Sequence, residues 1–414
     1  MSEWQRQIDT NPWFCILPFN HLHVSTNGTA NLCCVADHQR PVLTDTAGQS
    51  LESLWHSAEY QRVRDSMLQR RPEPRCQRCY SIDASGGGSD RQVHNANFRS
   101  QSDDWDLDIA RGNSRGTPDW MDLRPGRFCN LACRMCFVGV SSAVADEHRQ
   151  IPSLESVTGE SWHDIRDWLD DPITMRSVQD LIPSLRCLKL AGGEPLYMPQ
   201  VLRLLRWCRD TGNTHLELDI TTNGTAAKGK VLDLLGSFRR VYLHVSMDGV
   251  GVTNDYIRHG SSWPEVDAAY QRYSAMANVQ TSLLATVQAY NAHQLPEIVR
   301  YWRALGSQGS LILNFVENPS ELSVDILPHA DRCAIADQLH AAAEGLTAYQ
   351  LHRMRFHAVV TRLRQPDAVG MDRLRQQWAK RTRAYDQLRG QDIAAVSARL
   401  SQLVQLWHGP SMEP

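Results

Sequence analysis

The chain has 414 residues, a formal net charge of −3 and 42% hydrophobic residues. This length predicts two or three domains with a sizeable core, and the small net charge argues against a nucleic-acid partner. No apolar run is long enough to span a membrane and the N-terminus lacks a secretory pattern, so we expect a soluble, cytoplasmic protein. The eleven cysteines then indicate metal or redox chemistry rather than disulfides.

Residues 1–100 are the first predicted region and hold five cysteines. The stretch CILPFNHLHVSTNGTANLCC predicts a hairpin around Asn27-Gly28, with His21 and His23 as packing or surface residues. LESLWHSAEYQRVRDSML predicts a helix, and RCQRC adds a C-x2-C pair. Four thiolates from a hairpin and a tight pair can close around one metal centre, for which zinc is the simplest candidate. The Gly/Ser run at 85–89 predicts either a flexible joint or an ordered turn.

Residues 101–320 show six strand signals with helical segments between them. The strand signals lie in DWMDLRPG, LRCLKLAGGEPL, HLELDITTNG, RRVYLHVSMDG, QTSLLATVQAYN and GSLILNFVENP. Such alternation favours an α/β fold with a parallel sheet and right-handed crossovers. Because six strands are fewer than eight, we predict a partial (β/α)6 barrel, with an open doubly wound sheet as the alternative. Residues 321–414 carry helical spacing and predict packing helices.

Each predicted strand of the middle region ends in polar or glycine-rich residues. These residues are Cys129, Cys133, Cys136, Gly192, Gly193, Glu194, Thr222, Asn223, Ser246, Asp248, Gln288, Tyr290, Asn314 and Glu317. Any one of these stretches could be a plain turn. Together they would crowd the carboxyl end of the sheet, where such folds place their sites.

The C-x3-C-x2-C spacing of Cys129, Cys133 and Cys136 lacks a fourth cysteine. Structural zinc requires four ligands, and a [4Fe–4S] cluster normally takes four cysteines. Three thiolates on such a cluster leave one iron open, which an amino acid can chelate through its amine and carboxylate. The backbone at Gly192-Gly193 would allow that ligand to approach closely. The site suits a molecule with an amino-acid end and a sugar, because Glu194 can accept from an ammonium group while Asn223 and Ser246 can meet hydroxyls.

CNLACRMC together with AGGEP resembles the radical S-adenosylmethionine (radical SAM) superfamily over about residues 118–320. The resemblance implies a partial barrel whose [4Fe–4S] cluster binds SAM and cleaves it reductively to a 5′-deoxyadenosyl radical. It implies that Cys129, Cys133 and Cys136 bind the cluster and that Gly192, Gly193 and Glu194 hold the SAM amine. It also implies that Thr222, Asn223, Ser246 and Asp248 lie near the SAM ribose or carboxylate, and that Arg258 meets the carboxylate.

The N-terminal region resembles the SPASM or twitch auxiliary-cluster module, with its hairpin, its LxxLWxSxEYQxxR helix and its C-x2-C pair. In most family members this module follows the barrel, whereas here it precedes it. The implied ligands of an auxiliary cluster, a [4Fe–4S] cluster by expectation, are Cys15, Cys33, Cys76 and Cys79. Cys34 is the less suitable neighbour of Cys33. Such a cluster would relay electrons, while zinc remains the alternative.

Four residues, Glu317, Gln288, Tyr290 and Asn314, are predicted to face the barrel mouth and contact the substrate. We expect a small-molecule or peptide substrate, an electron donor such as flavodoxin or ferredoxin, and neither a nucleic acid nor a membrane as partner. The predicted function is hydrogen abstraction from a substrate in a biosynthetic or modifying pathway. The competing hypotheses are a zinc-stabilised, non-catalytic binding module and a redox carrier that leaves SAM intact.

Overall fold

The computed structural model describes residues 3–37, 39–42, 45–84, 88–101, 116–161, 167–306, 309–346 and 353–407. Residues 85–87, in the Gly/Ser run predicted as a joint or turn, lie outside these ranges. In the described part of the chain, no helix combines the length and the apolar character needed to cross a membrane.

The described residues form ten strands and eighteen α-helices. The strands are β1 (His21–Val24), β2 (Ala30–Asn31), β3 (Trp120–Leu123), β4 (Ala132–Cys133), β5 (Cys187–Leu190), β6 (Glu217–Thr222), β7 (Arg240–Ser246), β8 (Arg258–His259), β9 (Val279–Val287) and β10 (Leu311–Phe315). The first nine helices are α1 (Glu3–Thr10), α2 (Leu17–Asn20), α3 (Leu51–Trp55), α4 (Ala58–Leu68), α5 (Gln77–Ala84), α6 (Asp90–Gln101), α7 (Ser142–Gln150), α8 (Glu155–Thr158) and α9 (Pro172–Leu181). The others are α10 (Pro199–Asp210), α11 (Gly229–Gly236), α12 (Val252–Ile257), α13 (Trp263–Ser274), α14 (Leu295–Ala304), α15 (His329–Ala342), α16 (Arg353–Leu363), α17 (Met371–Arg389) and α18 (Ala398–Leu406).

All six strands predicted in the middle region form, as β3, β5, β6, β7, β9 and β10. With β1 and β2 they make an eight-stranded sheet that is largely parallel. The sequence pattern explains the pleat: Leu188 and Leu190 are fully buried, while Lys189 between them is half-buried on the other face. The α/β class is therefore confirmed, and closure into a partial barrel, which is compatible with these strands, remains a prediction.

The chain divides into two compact units that interleave along the sequence. The first comprises Met1–Phe128, Ile165–Thr221 and Lys228–Tyr242, and the second comprises Cys129–Asp164, Thr222–Ala227 and Leu243–Pro414. The predicted division into domains at 1–100, 101–320 and 321–414 follows sequence features instead, and it remains a prediction.

In the first unit, the N-terminal hairpin is part of the sheet. Strands β1 and β2 pair antiparallel around Gly28, whose φ of +79° is the left-handed conformation that the Asn-Gly signal indicates. The prediction of this hairpin is confirmed. Strand β1 also pairs in parallel with β3, with His21 opposite Trp120 and Val24 opposite Leu123. The sequence did not indicate this pairing, because the two strands lie about a hundred residues apart.

The helix predicted over LESLWHSAEYQRVRDSML is instead two helices, α3 and α4. The chain turns at His56 and Ser57, and the Ser57 hydroxyl accepts a hydrogen bond from the Tyr60 N–H at 3.3 Å. Ser57 therefore caps α4, and the prediction of one continuous helix is wrong for this reason. Tyr60 is fully buried and donates its hydroxyl hydrogen to the Asn31 carbonyl oxygen at 3.0 Å, which ties α4 to the hairpin.

In the second unit, β9 pairs in parallel with β10, and β4 pairs antiparallel with β8. The C-terminal region that was predicted to be helical contains α15–α18. Helix α17 braces the cysteine-bearing loop through Arg134, the residue after Cys133. The fully buried Arg134 guanidinium forms an ion pair with Asp386 and donates to the Tyr256 carbonyl at 3.0 Å and to Gln391 Oε1 at 2.9 Å. It also lies 3.7 Å from the centre of the Tyr256 ring.

We predict that Asp386→Ala strongly destabilises the protein. The substitution leaves Arg134 buried without its carboxylate, and breaking a buried pair costs about 3–5 kcal/mol. Urea denaturation of the full chain measures the change. The matched control is Asp372→Ala on the same helix, because the Asp372 side chain is 90% exposed in its pair with Arg375. Equal midpoints for the two variants would contradict the bracing role.

Candidate functional site

The cysteine loop is held by backbone pairing and by serine side chains. Cys133 in β4 lies opposite Arg258 in β8. The Cys129 N–H donates to the Ser142 hydroxyl oxygen at 3.0 Å, and the Ser141 hydroxyl donates to the Leu131 carbonyl at 2.8 Å. These contacts fix the loop at the start of α7, where Ser141 also caps the helix.

Hydrogen-bond donors lie near two of the three thiols, those of Cys129 and Cys133. Arg258 Nη1 lies 3.9 Å from Cys133 Sγ, Asn223 Nδ2 lies 3.9 Å from Cys129 Sγ, and the Leu131 N–H lies 3.5 Å from the same sulfur. The hydrogen bond with Cys136, together with the Arg258 cation, lowers the pKa of the Cys133 thiol although burial opposes this. This donor set fits thiolate ligands of a metal cluster.

Arg258 is held by a buried carboxylate. Its Nε lies 2.8 Å from Asp248 Oδ2, and Asp248 Oδ1 accepts the Thr286 N–H at 2.6 Å. Both side chains are at most 9% exposed. Asp248 therefore fixes the orientation of Arg258 beside Cys133, and the predicted contacts of both residues with SAM remain predictions.

The other predicted SAM contacts of the second unit lie in or near an Asn-Gly turn. The Thr222 hydroxyl accepts the Gly224 N–H at 3.2 Å, and Asn223 Oδ1 accepts the Thr225 N–H at 3.0 Å. Asn223 Nδ2 also donates to Asn130 Oδ1 at 2.9 Å, next to Cys129. Ser246 at the end of β7 is buried. Asn223 thus contacts the cysteine loop directly. The resemblance had implied only that Asn223 lies near the SAM ribose or carboxylate.

The glycine-rich loop of the first unit requires its glycines. Gly192 and Gly193 have φ values of +79° and +33°, and a Cβ on Gly193 would lie 2.2 Å from the Phe128 carbonyl oxygen. The same carbonyl accepts the Glu194 N–H at 2.7 Å. Phe128 directly precedes Cys129, so this loop packs against the segment that enters the cysteine loop. The Glu194 carboxylate is fully buried, and its Oε1 accepts the Leu196 N–H at 3.1 Å.

The N-terminal cysteines of the first unit lie near one another. Cys15 interacts electrostatically with Cys79, and Cys33 and Cys76 each interact electrostatically with Cys15. Burial raises the pKa of the Cys15 thiol to about 12. Cys34 differs, because its largest charge interaction is with Arg124. The assignment of Cys15, Cys33, Cys76 and Cys79 as one ligand set, with Cys34 outside it, remains a prediction.

Within the described ranges, no three Cys, His, Asp or Glu side chains converge as closely as a single bound ion requires. A four-iron cube differs from a single ion because each thiolate binds a separate iron atom at its own corner. The predicted ligands of both cysteine sets are thiols, and none of them is a carboxylate or an imidazole. Such a ligand set fits an iron–sulfur cluster.

The four predicted substrate residues lie in different environments. Gln288 is fully buried, and its Oε1 has no hydrogen-bond partner among the described residues, as is also true of Asn314 Oδ1. The buried Tyr290 hydroxyl lies 2.7 Å from Thr382 Oγ1 of α17, and Glu317 is exposed. Their contacts with a substrate remain predictions.

Two features of the site were not found from the sequence. Arg134 follows Cys133, yet its burial depends on residues more than a hundred positions away. Asp122 and Arg124, at the end of β3, form a charged group with His23 that the sequence analysis did not single out. A charged residue inside an otherwise apolar strand was the available signal for Asp122.

An α/β chain with a three-cysteine loop, a separate four-cysteine set and a glycine-rich strand end is an iron–sulfur protein of the SAM-binding class. Comparison with known families agrees: residues 123–301 match the radical SAM superfamily, and residues 15–80 match SPASM, an iron-sulfur cluster-binding domain. Residues 123–301 are therefore a radical SAM domain, and residues 15–80 are an SPASM module that precedes it in the chain. The cofactors of the chain are SAM, the [4Fe–4S] cluster that binds it, and an auxiliary iron–sulfur cluster.

Two curated relatives are similar to parts of the chain. Pre-heme d1 synthase of Dinoroseobacter shibae is 29% identical over 192 residues, which are 46% of this chain and 41% of the relative. The tungsten-containing aldehyde ferredoxin oxidoreductase cofactor-modifying protein of Pyrococcus furiosus is 24% identical over 227 residues, 52% of this chain and 57% of the relative. The matched part of the chain thus spans about half the length of these relatives.

Two solved structures were also similar. Streptococcus suis SuiB bound to the precursor peptide SuiA has 13% identity, a TM-score of 0.39 and coverage of 66% of this chain and 53% of that one. TYW1 with a lysine-pyruvate adduct has 14% identity, a TM-score of 0.31 and coverage of 53% and 72%. Both TM-scores are below 0.5, so these likenesses say nothing further about this chain.

We predict that Gly193→Ala disrupts the glycine-rich loop. The added methyl group would collide with the Phe128 carbonyl, and relieving an overpacked contact costs about 1–3 kcal/mol. SAM binding by equilibrium dialysis should weaken together with thermal stability. The control is Gly229→Ala at the start of α11, where an added Cβ meets nothing within 4 Å. Unchanged SAM binding in Gly193→Ala would contradict the role assigned to this loop.

Proposed function

We propose that the chain is a radical SAM enzyme that abstracts a hydrogen atom from a substrate in a biosynthetic or modifying pathway. The observation that carries the proposal is the cysteine loop, which has three thiols and no fourth cysteine, and in which the donors of Asn223 and Arg258 lie near Cys129 and Cys133. When bound there, the cluster and SAM supply the 5′-deoxyadenosyl radical that takes the hydrogen.

The residues of the chain have distinct parts in this proposal. Cys129, Cys133 and Cys136 would hold the cluster, and the Arg258 cation beside Cys133 would offset the thiolate charge and donate hydrogen bonds to the SAM carboxylate. Asp248 holds Arg258 in place through its 2.8 Å contact. The buried Glu194 and the two glycines before it receive the SAM amine.

The N-terminal set has a different role, because four thiolates leave no iron open. Cys15, Cys33, Cys76 and Cys79 bind the auxiliary cluster, which relays electrons between the substrate and an external carrier such as flavodoxin or ferredoxin. A soluble, cytoplasmic location provides such a carrier and a reducing environment for thiols. The names of the two curated relatives, a synthase of a heme precursor and a cofactor-modifying protein, favour a small-molecule substrate over a peptide.

We expect anaerobic reconstitution to yield a brown protein with about eight irons, four in each of two clusters. After reduction the protein should release 5′-deoxyadenosine from SAM, detected by chromatography. The triple variant Cys129→Ala, Cys133→Ala, Cys136→Ala should lose cleavage and half of the iron. A colourless zinc protein without SAM cleavage would overturn the proposal, and loss of both clusters in the triple variant would contradict two independent sites.

A second prediction separates the adjacent cysteines of the N-terminal set. Cys33→Ser should lower the iron content by about half, because it removes a thiolate ligand of one of two four-iron clusters. Cys34→Ser is the matched control and should retain all iron, since Cys34 lies outside the proposed ligand set. Iron analysis and electron paramagnetic resonance measure both variants, and the reverse result would make Cys34 the ligand.

A further inference from the structure

One face of the first unit's sheet carries charges where a buried sheet is usually apolar. The strand registers place His23 opposite Asp122, Asp122 opposite Lys189, and Lys189 opposite Asp219. Residues directly opposite in neighbouring strands share a face. The charged face is defined here by the side chains that share it: His21, His23, Asp122, Arg124, Lys189 and Asp219.

The other face of these strands is apolar and closed. Leu22, Met121, Leu188 and Leu218 are all fully buried. Strands of parallel sheets are commonly hydrophobic on both faces, and burying a charge is costly unless it is paired. The charged face therefore needs a partner for each of its charges, or a ligand that supplies one.

Pairing within the charged face is uneven. His23 Nδ1 lies 3.2 Å from Asp122 Oδ2, and Lys189 Nζ lies 3.4 Å from Asp219 Oδ2. Arg124 Nε, in contrast, lies 3.9 Å from Asp122 Oδ1, which is too long for a hydrogen bond. Arg124 also has a side-chain hydrogen bond with the Cys34 sulfur.

Three buried polar atoms of the charged face have no hydrogen-bond partner among the described residues. They are Arg124 Nε, Asp122 Oδ1 and His21 Nδ1, and the Asp122 side chain and the His21 residue are only 3% and 2% exposed. Buried polar atoms in folded proteins nearly always have a partner, either protein, water or ligand. The charged face is also open to a ligand, because 31% of the Arg124 side chain and 24% of the Lys189 side chain are exposed.

Arg124 also lies next to the glycine-rich loop. A Cβ built on Gly192 would be 3.0 Å from Arg124 Cβ. On its other side Arg124 contacts Cys34, the neighbour of Cys33. A group bound by Arg124 would thus lie beside the loop to which the proposed function assigns the SAM amine, where a reacting substrate must be held close to the radical.

We propose that Arg124, assisted by Lys189, binds a carboxylate group of the substrate on the charged face. This proposal rests on the proposed function and adds the chemical class of the substrate to it. The planar guanidinium can bind a carboxylate through two parallel hydrogen bonds. A carboxylate group carries a single negative charge, so it fits better than a phosphate group, whose two charges on one group would be repelled by Asp122 and Asp219.

The test measures whether a carboxylate shields Arg124 in the reconstituted full-length protein. Phenylglyoxal labels accessible arginines, and peptide mass spectrometry reports each one separately. Succinate should slow labelling of Arg124 by about fivefold or more, as expected for a bidentate pair, whereas neutral succinamide should not. Arg176 is the internal control, because its side chain is 76% exposed and it is not part of the charged face. The peptide acetyl-Gly-Glu-Gly-amide tests whether a peptide carboxylate protects equally.

Two variants test the role of Lys189. Lys189→Gln should weaken protection by succinate, and Lys189→Arg, which keeps the charge, should restore it. Arg176→Gln should leave protection of Arg124 unchanged. A purely structural Lys189 would give the same protection in all three variants and would overturn its part in binding.

The outcomes distinguish this inference from the proposed function. Absence of protection by succinate, or equal protection by succinamide, would overturn the carboxylate site. Protection by SAM alone as strong as that by succinate would assign Arg124 to the cofactor and overturn the substrate class, while the radical SAM reaction would stand. Failure of the same preparation to cleave SAM would overturn the proposed function. The labelling result would still decide whether a carboxylate binds at Arg124.

Discussion

The buried guanidinium of Arg134 is the interaction on which the arrangement of the second unit depends. A fully buried cation must be paired and hydrogen-bonded to be tolerated. Arg134 meets this requirement with the Tyr256 carbonyl, with Asp386 and with Gln391. Because Arg134 directly follows Cys133, these acceptors also fix the loop that presents the three thiols. Helix α17 is therefore part of the support of the site, beyond the packing role that its apolar spacing predicts.

The need to pair buried charges also shapes the first unit, where strand pairing meets it. Strand β1 pairs in parallel with β3, so the N-terminal module shares a sheet with the strand that leads into the cysteine loop. The pairing places His23 within 3.2 Å of Asp122. An SPASM module that precedes the radical SAM segment in sequence thus contributes a strand as well as four cysteines. The unusual order of the two family segments has a structural consequence in this chain.

Both units use buried charge in two ways. Some charges are fully paired and hold the backbone, as Asp248 holds Arg258 at 2.8 Å. Others are incompletely paired and open to a ligand, as Arg124 is on the charged face. An incompletely paired charge gains most from a ligand of opposite charge. This difference separates the residues that support the site from those proposed to recognise the substrate.

The sequence by itself determined the features that depend on neighbouring residues. Six strands and the Gly28 hairpin follow from periodicity and turn chemistry, which act over a few residues. The tertiary structure decided the rest, because it depends on residues far apart in the chain. The break between α3 and α4, the partners of Arg134 and the position of Cys34 beside Arg124 belong to this group. The charged face depends on strand register, because a slip of one residue would turn the side chains of a strand to the opposite face. No local pattern in the sequence encodes this register.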